Sequence, residues 1–273
     1  MDRRNFLKTI ISTSVVAATP VAAIAKNADA ESPHVKDYIT KIKNFNQHFE
    51  DDIVAKGEEY KTLISVTKRL HRVQRVVGYG NFGILSFDNA LYYASRYSSI
   101  GKFPRKETEF LEQVFYRSAK DYGFYGEKVL THLTDNVPKR STTKVAGTGH
   151  YIFRGDSQKV YQKIIRDVGQ SIILTSGVRG IVKQMYLFLN KAVSSKGNLS
   201  MASRSLAPPG HSFHGVGDFD VGKKGYGYRN FTEDFAETQE FKRLKDLGYV
   251  RIRYPENNPF GVRFEPWHIK VII

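Results

Sequence analysis

The sequence predicts an α+β fold, in which a small antiparallel sheet with flanking helices is preceded by a mostly helical region. Two observations support this. From about residue 37 to 133, apolar residues recur at spacings of three and four, which is typical of amphipathic helices. After residue 149, short apolar runs alternate with helical patterns, as expected for strands packed against helices. The polar, Thr- and Gly-rich stretch 138–149 between the two patterns indicates a domain boundary.

The individual elements follow from spacing and from the residues at their ends. Helices are predicted over residues 37–49, 60–77, 89–97, 106–122, 157–168, 181–194 and 237–247. Strands are predicted over residues 171–175, 219–221, 250–254 and 269–273. A loop is predicted at Gly78, Gly80 and Gly83, which match G-x-G-x-x-G. No Lys-Ser/Thr pair follows and no βαβ pattern surrounds this loop, so we do not expect nucleotide binding.

The first 25 residues have the three parts of an export signal: a basic start, an apolar middle and a small-residue site at Ala23-Ile24-Ala25. Residues 3–8 read R-R-N-F-L-K, which resembles a twin-arginine signal and implies transient contact with that export machinery. The apolar stretch is too short and too rich in Ser and Thr for a permanent membrane anchor. We therefore expect a periplasmic or otherwise exported protein, with a polar linker over residues 26–36.

The formal net charge of +15 suggests an acidic partner or a basic solvated surface. The basic residues are scattered and no finger spacing or aromatic RNA-binding box is present, so a nucleic-acid partner is not expected. An acidic envelope polymer remains an alternative to a merely solvated surface. The chain has no cysteine, which excludes thiol catalysis and Cys-ligated metal. Any metal must be held by His, Asp or Glu.

Three short motifs in the second half carry candidate chemistry. A catalytic zinc needs three protein ligands and one open position, and His214, Asp220 and His268 can supply the ligands. Glu265 lies three residues before His268 and is the candidate base, provided that the chain bends between them. Arg179 could stabilise negative charge on the oxygen of an attacked carbonyl.

These motifs resemble those of the VanY-type D-alanyl-D-alanine carboxypeptidases, zinc peptidases of cell-wall peptides. Residues 176–180 read S-G-V-R-G, residues 212–220 read S-F-H-G-V-G-D-F-D, and residues 265–268 read E-P-W-H, in the family's order. The resemblance covers about residues 150–273. It implies one zinc ion held by His214, Asp220 and His268, with Glu265 as the catalytic base and Arg179 as the oxyanion stabiliser.

Three further residues are expected to contact substrate or to support the site: Ser212, Gln184 and Trp267. The first two follow from the resemblance, and Trp267 could instead be a core residue. The sequence also departs from the family pattern. The step from His214 to Asp220 is one residue shorter than in the family, so Asp218 is a rival ligand. Val and Gly replace the usual Tyr and Ser on either side of the arginine, which puts the substrate pocket in question.

The resemblance implies a zinc-dependent peptidase that hydrolyses peptidoglycan stem peptides, as a D,D-carboxypeptidase or an endopeptidase. The alternatives are a non-catalytic cell-wall-binding protein with a degenerate peptidase fold, and a peptidase for a non-wall peptide. The predicted organisation is a signal peptide (1–25), a linker (26–36), a helical region of unknown role (37–147) and a zinc peptidase domain (148–273). The oligomeric state does not follow from the sequence.

Overall fold

The computed structural model describes the backbone of residues 33–271 and the side chains of residues 37–271. The predicted signal peptide and residues 26–32 of the predicted linker lie outside the described residues. The helices are α1 Pro33–Lys43, α2 Gly57–Val77, α3 Tyr79–Phe82, α4 Phe87–Arg96, α5 Arg105–Tyr116, α6 Asp156–Val168, α7 Ile181–Ser194, α8 Leu199–Ser203 and α9 Gln239–Asp246. The strands are β1 Thr142–Lys144, β2 Tyr151–Phe153, β3 Ile172–Ser176, β4 Phe219–Lys223 and β5 His268–Ile269.

The helices form where the sequence carries an apolar face with a suitable start. In α2, Leu63, Val66, Leu70 and Val73 share one face, and all four side chains are buried. The Ser86 hydroxyl caps α4 by accepting a hydrogen bond from a backbone N–H of its first turn. The predicted loop at the G-x-G-x-x-G sequence contains the one-turn helix α3, and the predicted helix 106–122 ends earlier, with α5.

The strands form two small antiparallel sheets. Strands β3, β4 and β5 lie side by side in that order, with Asp220 of β4 opposite His268 of β5. Strands β1 and β2 form a separate hairpin. The prediction of an α+β fold is confirmed. The predicted strand 250–254 is wrong, because this segment makes only one isolated bridge, from Ile252 to Ile269.

Residues 37–271 contain two large apolar cores and a smaller third one around Phe124 and Tyr254. One packs the three-stranded sheet against α6 and α9. The larger one joins α2, α4 and α5 to α7 and α8, with Met185, Phe188 and Leu189 of α7 fully enclosed. Residues from Asp37 onward group as one unit. The division at residue 147 stays a prediction, and the larger core crosses it. No helix within residues 33–271 has the length and hydrophobicity needed to span a membrane.

A buried ion pair ties the segment after α1 to α8. The Arg204 guanidinium donates two hydrogen bonds to the Asp52 carboxylate, at 2.7 and 3.0 Å, and both side chains are almost fully buried. Asn198 donates a further hydrogen bond to Asp52 at 2.6 Å. Together they hold the carboxylate charged, with a lowered pKa, although burial alone would favour the neutral form.

Candidate metal site

Three side chains from different elements converge next to the three-stranded sheet. His214 lies in a 3₁₀ turn at Phe213–Gly215, Asp220 in β4 and His268 in β5. One potential ligand atom from each lies within 4.8 Å of the other two, and all three residues are buried. The distance from His214 Nε2 to Asp220 Oδ1 is 3.1 Å, and that from His268 Nδ1 to Asp220 Oδ1 is 3.8 Å.

The orientation of the His214 ring is set by the loop that precedes α7. Its Nδ1 donates a hydrogen bond to the Gly177 carbonyl oxygen at 2.8 Å, so the lone pair of a neutral ring lies on Nε2. Burial, assisted by the Arg179 charge, lowers the pKa of His214 to about 4. Neutral Nε2 and a carboxylate oxygen of Asp220 are both acceptors, and they face each other at 3.1 Å. Such a pair is suited to share a cation.

The orientation of the His268 ring is set by Asp218. His268 Nε2 donates to the Asp218 carboxylate at 3.1 Å, and Nδ1 contacts Glu265 Oε2 at 3.0 Å. Burial disfavours the charged ring, but the hydrogen bonds to the two carboxylates outweigh it and raise the pKa of His268 to about 9. To bind a metal through Nδ1, His268 would first have to lose that proton.

Asp218 also forms an ion pair with Arg253. The Arg253 guanidinium donates to both oxygens, at 2.6 and 2.9 Å, and the Val271 backbone N–H adds a bond at 2.9 Å. Burial would raise the pKa of Asp218, but the hydrogen bonds from His268 and Arg253 lower it to about 2. Both oxygens are thus already used, and the carboxylate lies on the far side of the His268 ring from Asp220.

Asp220 is fully buried and is bonded by Arg179 through one oxygen. Arg179 Nη2 donates to Asp220 Oδ2, and Arg179 Nε donates to the Ser176 hydroxyl at 2.9 Å. Burial opposes the charge on Asp220, but His214 and Arg179 outweigh it, so its pKa lies well below the usual range. Because Arg179 takes Oδ2, Asp220 Oδ1 is left to face the two histidines.

Glu265 reaches the site through a bend. A turn at Pro266 and Trp267, closed by a hydrogen bond from His268 N to Glu265 O at 3.2 Å, places both side chains on the same side. A regular strand would direct residues three apart to opposite faces. The expected bend between the base and the last candidate ligand is therefore present.

The triad fits a tetrahedral metal ion. Zinc–ligand distances of about 2.0–2.1 Å in a tetrahedron place neighbouring ligand atoms about 3.3–3.4 Å apart. The two measured separations to Asp220 Oδ1, 3.1 and 3.8 Å, lie on either side of that value. Two imidazole nitrogens and one carboxylate oxygen leave a fourth position open, as in catalytic zinc sites.

A cleft of about 540 Å³ opens onto this site. Asp220, Glu265, Arg179 and Trp267 line it, so four of the eight predicted site residues face it. Its wall also contains Thr175, Leu187, Ser205, Leu206, Phe231 and Thr232.

Two predicted substrate-contacting residues are buried elsewhere. The Gln184 amide donates to the Ala207 carbonyl oxygen at 2.6 Å and is 2% exposed. Ser212 is also buried, just before the turn that carries His214. Neither is part of the cleft wall. Their geometry suits a supporting position, and contact with substrate stays a prediction.

Sequence reasoning missed several charged residues near the site. Arg253 holds Asp218, and Lys183, Lys191 and Arg263 line the cleft. For the lysines a signal was present: they lie eight residues apart, two turns along the predicted helix 181–194, and therefore on one face. Arg253 and Arg263 lie in irregular segments, where spacing does not indicate direction.

Two close backbone approaches fix the loop that carries Arg179. A Cβ on Gly177 would lie 1.8 Å from the Tyr151 carbonyl oxygen, and one on Gly83 would lie 2.8 Å from the Val178 carbonyl oxygen. Gly180 N donates to Gly83 O at 2.8 Å. Gly83, the last glycine of the G-x-G-x-x-G sequence, thus lets the chain just after α3 pack against the arginine loop, a role unrelated to phosphate binding.

The chain was compared with protein families, curated proteins and solved structures. Two solved structures are similar: the LdcB LD-carboxypeptidase, with 23% identity and a TM-score of 0.40, and VanYB in complex with D-alanine-D-alanine, with 24% identity and a TM-score of 0.37. Each match covers 48% of this chain, and they cover 63% of the LdcB chain and 76% of the VanYB chain. No curated protein matches the chain significantly. Residues 156–272, which include the triad, Glu265 and Arg179, match the family described as VanY, D-alanyl-D-alanine carboxypeptidase.

Proposed function

We propose that this chain is a zinc-dependent peptidase that hydrolyses peptidoglycan stem peptides, as a D,D-carboxypeptidase or an endopeptidase. The observation that carries the proposal is the convergence of His214, Asp220 and His268 beside Glu265, next to a cleft of about 540 Å³. The match of residues 156–272 to the carboxypeptidase family supports the same class of substrate.

In this proposal His214 Nε2, Asp220 Oδ1 and His268 Nδ1 hold the ion. Zinc, when bound, supplies Lewis acidity at the scissile carbonyl. Gly177 and Asp218 keep the two rings oriented through their second nitrogens, as outer partners of metal-bound histidines do.

Glu265 is the proposed base. Its carboxylate accepts a proton from the attacking water and returns it to the leaving amine, so the peptide C–N bond breaks as the new C–O bond forms. Glu265 lines the cleft and is 6% exposed, so little bulk water competes for its oxygens. Arg179 is bonded to Asp220 through Nη2, and its Nη1 makes no hydrogen bond to the described residues, which leaves a donor for the carbonyl oxygen.

The test uses purified protein loaded with zinc, together with stem peptides that end in D-Ala-D-Ala and cross-linked wall peptides. We expect release of D-alanine or cleavage of the cross-link. Glu265→Gln should lower kcat about 10²–10⁴-fold while zinc stays bound, because only the proton acceptor is lost. Glu59→Gln, an exposed glutamate at the start of α2, is the matched control.

Two outcomes would contradict the proposal. Absence of turnover in zinc-loaded wild-type protein, together with retained binding to cell walls, would favour the non-catalytic binding protein. Cleavage of unrelated peptides with equal efficiency would favour a peptidase for another substrate. An exported location also belongs to the proposal, since wall peptides lie outside the cytoplasmic membrane.

A further inference from the structure

The cleft carries more positive charge than its own carboxylates balance. Four cations line it, and of its two carboxylates Asp220 is bonded to Arg179 while Glu265 contacts His268. The other three cations are Lys183, Lys191 and Arg263. Among the residues that the structure describes, none of these three has a carboxylate within ion-pair distance. A metal ion in the triad would add further positive charge.

Helix α7 distributes this charge along the cleft. Lys183, Leu187 and Lys191 follow one another at intervals of four residues, so they lie on one face and all three line the cleft. At 1.5 Å per residue, the two lysines are about 12 Å apart along the helix axis. Lys183 lies near Arg179, and Lys191 lies near Arg263, so burial and, to a smaller extent, these arginine charges lower the pKa of both lysines.

The part of the cleft next to Lys191 and Arg263 contains hydrogen-bond donors that lack an acceptor among the described residues. The Arg263 guanidinium lies 4.6 Å from the Phe45 ring and 4.9 Å from the Trp267 ring. Within residues 33–271 its one hydrogen-bond acceptor is the Phe231 carbonyl oxygen, at 2.9 Å. Its Nε and the Ser205 hydroxyl in the same wall are buried, and neither has a hydrogen-bond partner in the part of the chain that the structure describes. Lys191 donates to a neutral amide oxygen, that of Asn46, at 3.1 Å.

We propose that Lys191 and Arg263 form a subsite for a carboxylate of the peptide, at the part of the cleft next to Lys191. This inference rests on the proposed peptidase function. Lys183 lies near Arg179, the proposed oxyanion stabiliser, and the step of about 12 Å along α7 from Lys183 to Lys191 corresponds to three or four residues of extended chain at about 3.3 Å each. A side chain three or four residues before the scissile bond is therefore the one to vary. The guanidinium fork and the neighbouring ammonium match a planar carboxylate, and Arg263 has two aromatic rings within cation–π distance. The substrate class is therefore an acidic peptide.

The experiment compares two peptides that end in D-Ala-D-Ala and differ only in glutamate or glutamine at the third and fourth residues before the scissile bond. Dissociation constants are measured on zinc-loaded Glu265→Gln protein, in which turnover does not interfere, and kcat/KM is measured on the wild type. We expect the glutamate peptide to bind about tenfold more tightly, and the difference to shrink as salt is added.

Lys191 variants test the assignment. Lys191→Gln should remove most of the preference, and Lys191→Glu should reverse it toward a peptide with lysine at the same positions. Lys242→Gln, an exposed lysine of α9 outside the cleft, removes the same charge from the protein and should leave the preference intact. Equal affinity of wild type for both peptides, or an unchanged preference in both Lys191 variants, would overturn the subsite. A carboxylate preference in binding without any turnover would sustain the subsite and refute the peptidase.

Discussion

The different roles proposed for Asp218 and Asp220 predict different zinc affinities when each is replaced by asparagine. Asp218→Asn removes the charge that holds Arg253 and His268, but it leaves His214, Asp220 and His268 as ligands. Asp220→Asn removes a proposed ligand. If the assignment is right, the first variant binds zinc weakly and the second shows no measurable binding.

The magnitude follows from the contacts of Asp218. The two carboxylate oxygens of Asp218 accept four hydrogen bonds, two on each oxygen. An asparagine has one acceptor oxygen, so the bonds to the other oxygen are lost. Arg253 is then left with an uncompensated charge in a site where the two side chains are 10% and 2% exposed. Removal of one partner from such a buried pair costs about 3–5 kcal/mol. Loss of the His268 hydrogen bond should lower zinc affinity about 10–100-fold.

The assays are denaturant unfolding of the metal-free protein and zinc titration in competition with a chromophoric chelator. The titration is done at low temperature, where the destabilised variant is still folded. Asp156→Asn is the control, because Asp156 is exposed and forms a surface ion pair with Lys159, three residues later on α6. If folded Asp218→Asn loses zinc binding completely and Asp220→Asn retains it, then Asp218 and not Asp220 is the metal ligand. Wild-type affinity in both would refute the metal site.

Four further effects are expected. Gly177→Ala places a methyl group against the carbonyl oxygen at the start of β2 and should destabilise the fold by about 3 kcal/mol, measured by denaturant unfolding. Asp52→Asn leaves the buried charge of Arg204 unpaired and should cost about 3–5 kcal/mol in the same assay. Burial and the Arg179 charge lower the pKa of Lys183 to about 8, so its charge is present below that pH and lost above it. Lys183 is one of the four cations of the cleft, so the KM for acidic peptides should rise as the pH passes about 8 and the positive charge of the cleft falls. A chelator should lower Tm, since zinc at 100 times its Kd stabilises the fold by about 2.7 kcal/mol.

Each of these has a control. Gly147→Ala is matched to Gly177→Ala, because no atom lies near its Cβ position, although its positive φ still disfavours alanine. Asp51→Asn changes an exposed neighbour of Asp52, and equal losses in both would refute the importance of burial. In Lys183→Met the rise of KM near pH 8 should disappear, and its persistence would assign the effect to another group. Tm should recover when zinc is restored, and an unchanged Tm after chelation would contradict a metal held by buried ligands.

The parts of the site that were predictable are those encoded in short motifs. His214, Asp220, His268 and Glu265 were predicted together, and the structure brings them together at β4, β5 and the turn before β5. The shortened spacing left Asp218 as an alternative ligand. Only the three-dimensional position of Arg253, which binds Asp218 from the other side, distinguishes the two aspartates.

Other features depend on partners that are distant in sequence. Alternation over residues 250–254 predicts a strand, but a strand also needs a partner of similar length, and β5 has two residues. Strands β1 and β2 were missed because each has three residues and little alternation. The most obvious glycine pattern, G-x-G-x-x-G, indicated only a loop. Its packing against the arginine loop depends on close backbone approaches, for which the sequence carries no periodic signal.

Helix α7 belongs to two parts of the molecule at once. One face contributes Met185, Phe188 and Leu189 to the core of the helical region, and another places Lys183 and Lys191 in the cleft. The region that matches the family begins at residue 156, so it contains α7 but not the helices against which α7 packs. A protein cut or fused at residue 156 would lose one side of the larger hydrophobic core, and the apolar residues of the other side would become exposed. The segment that matches the family is therefore not expected to fold without the helical region. If the proposed function is right, substitutions inside the helical region that shift α7 should alter peptide selection.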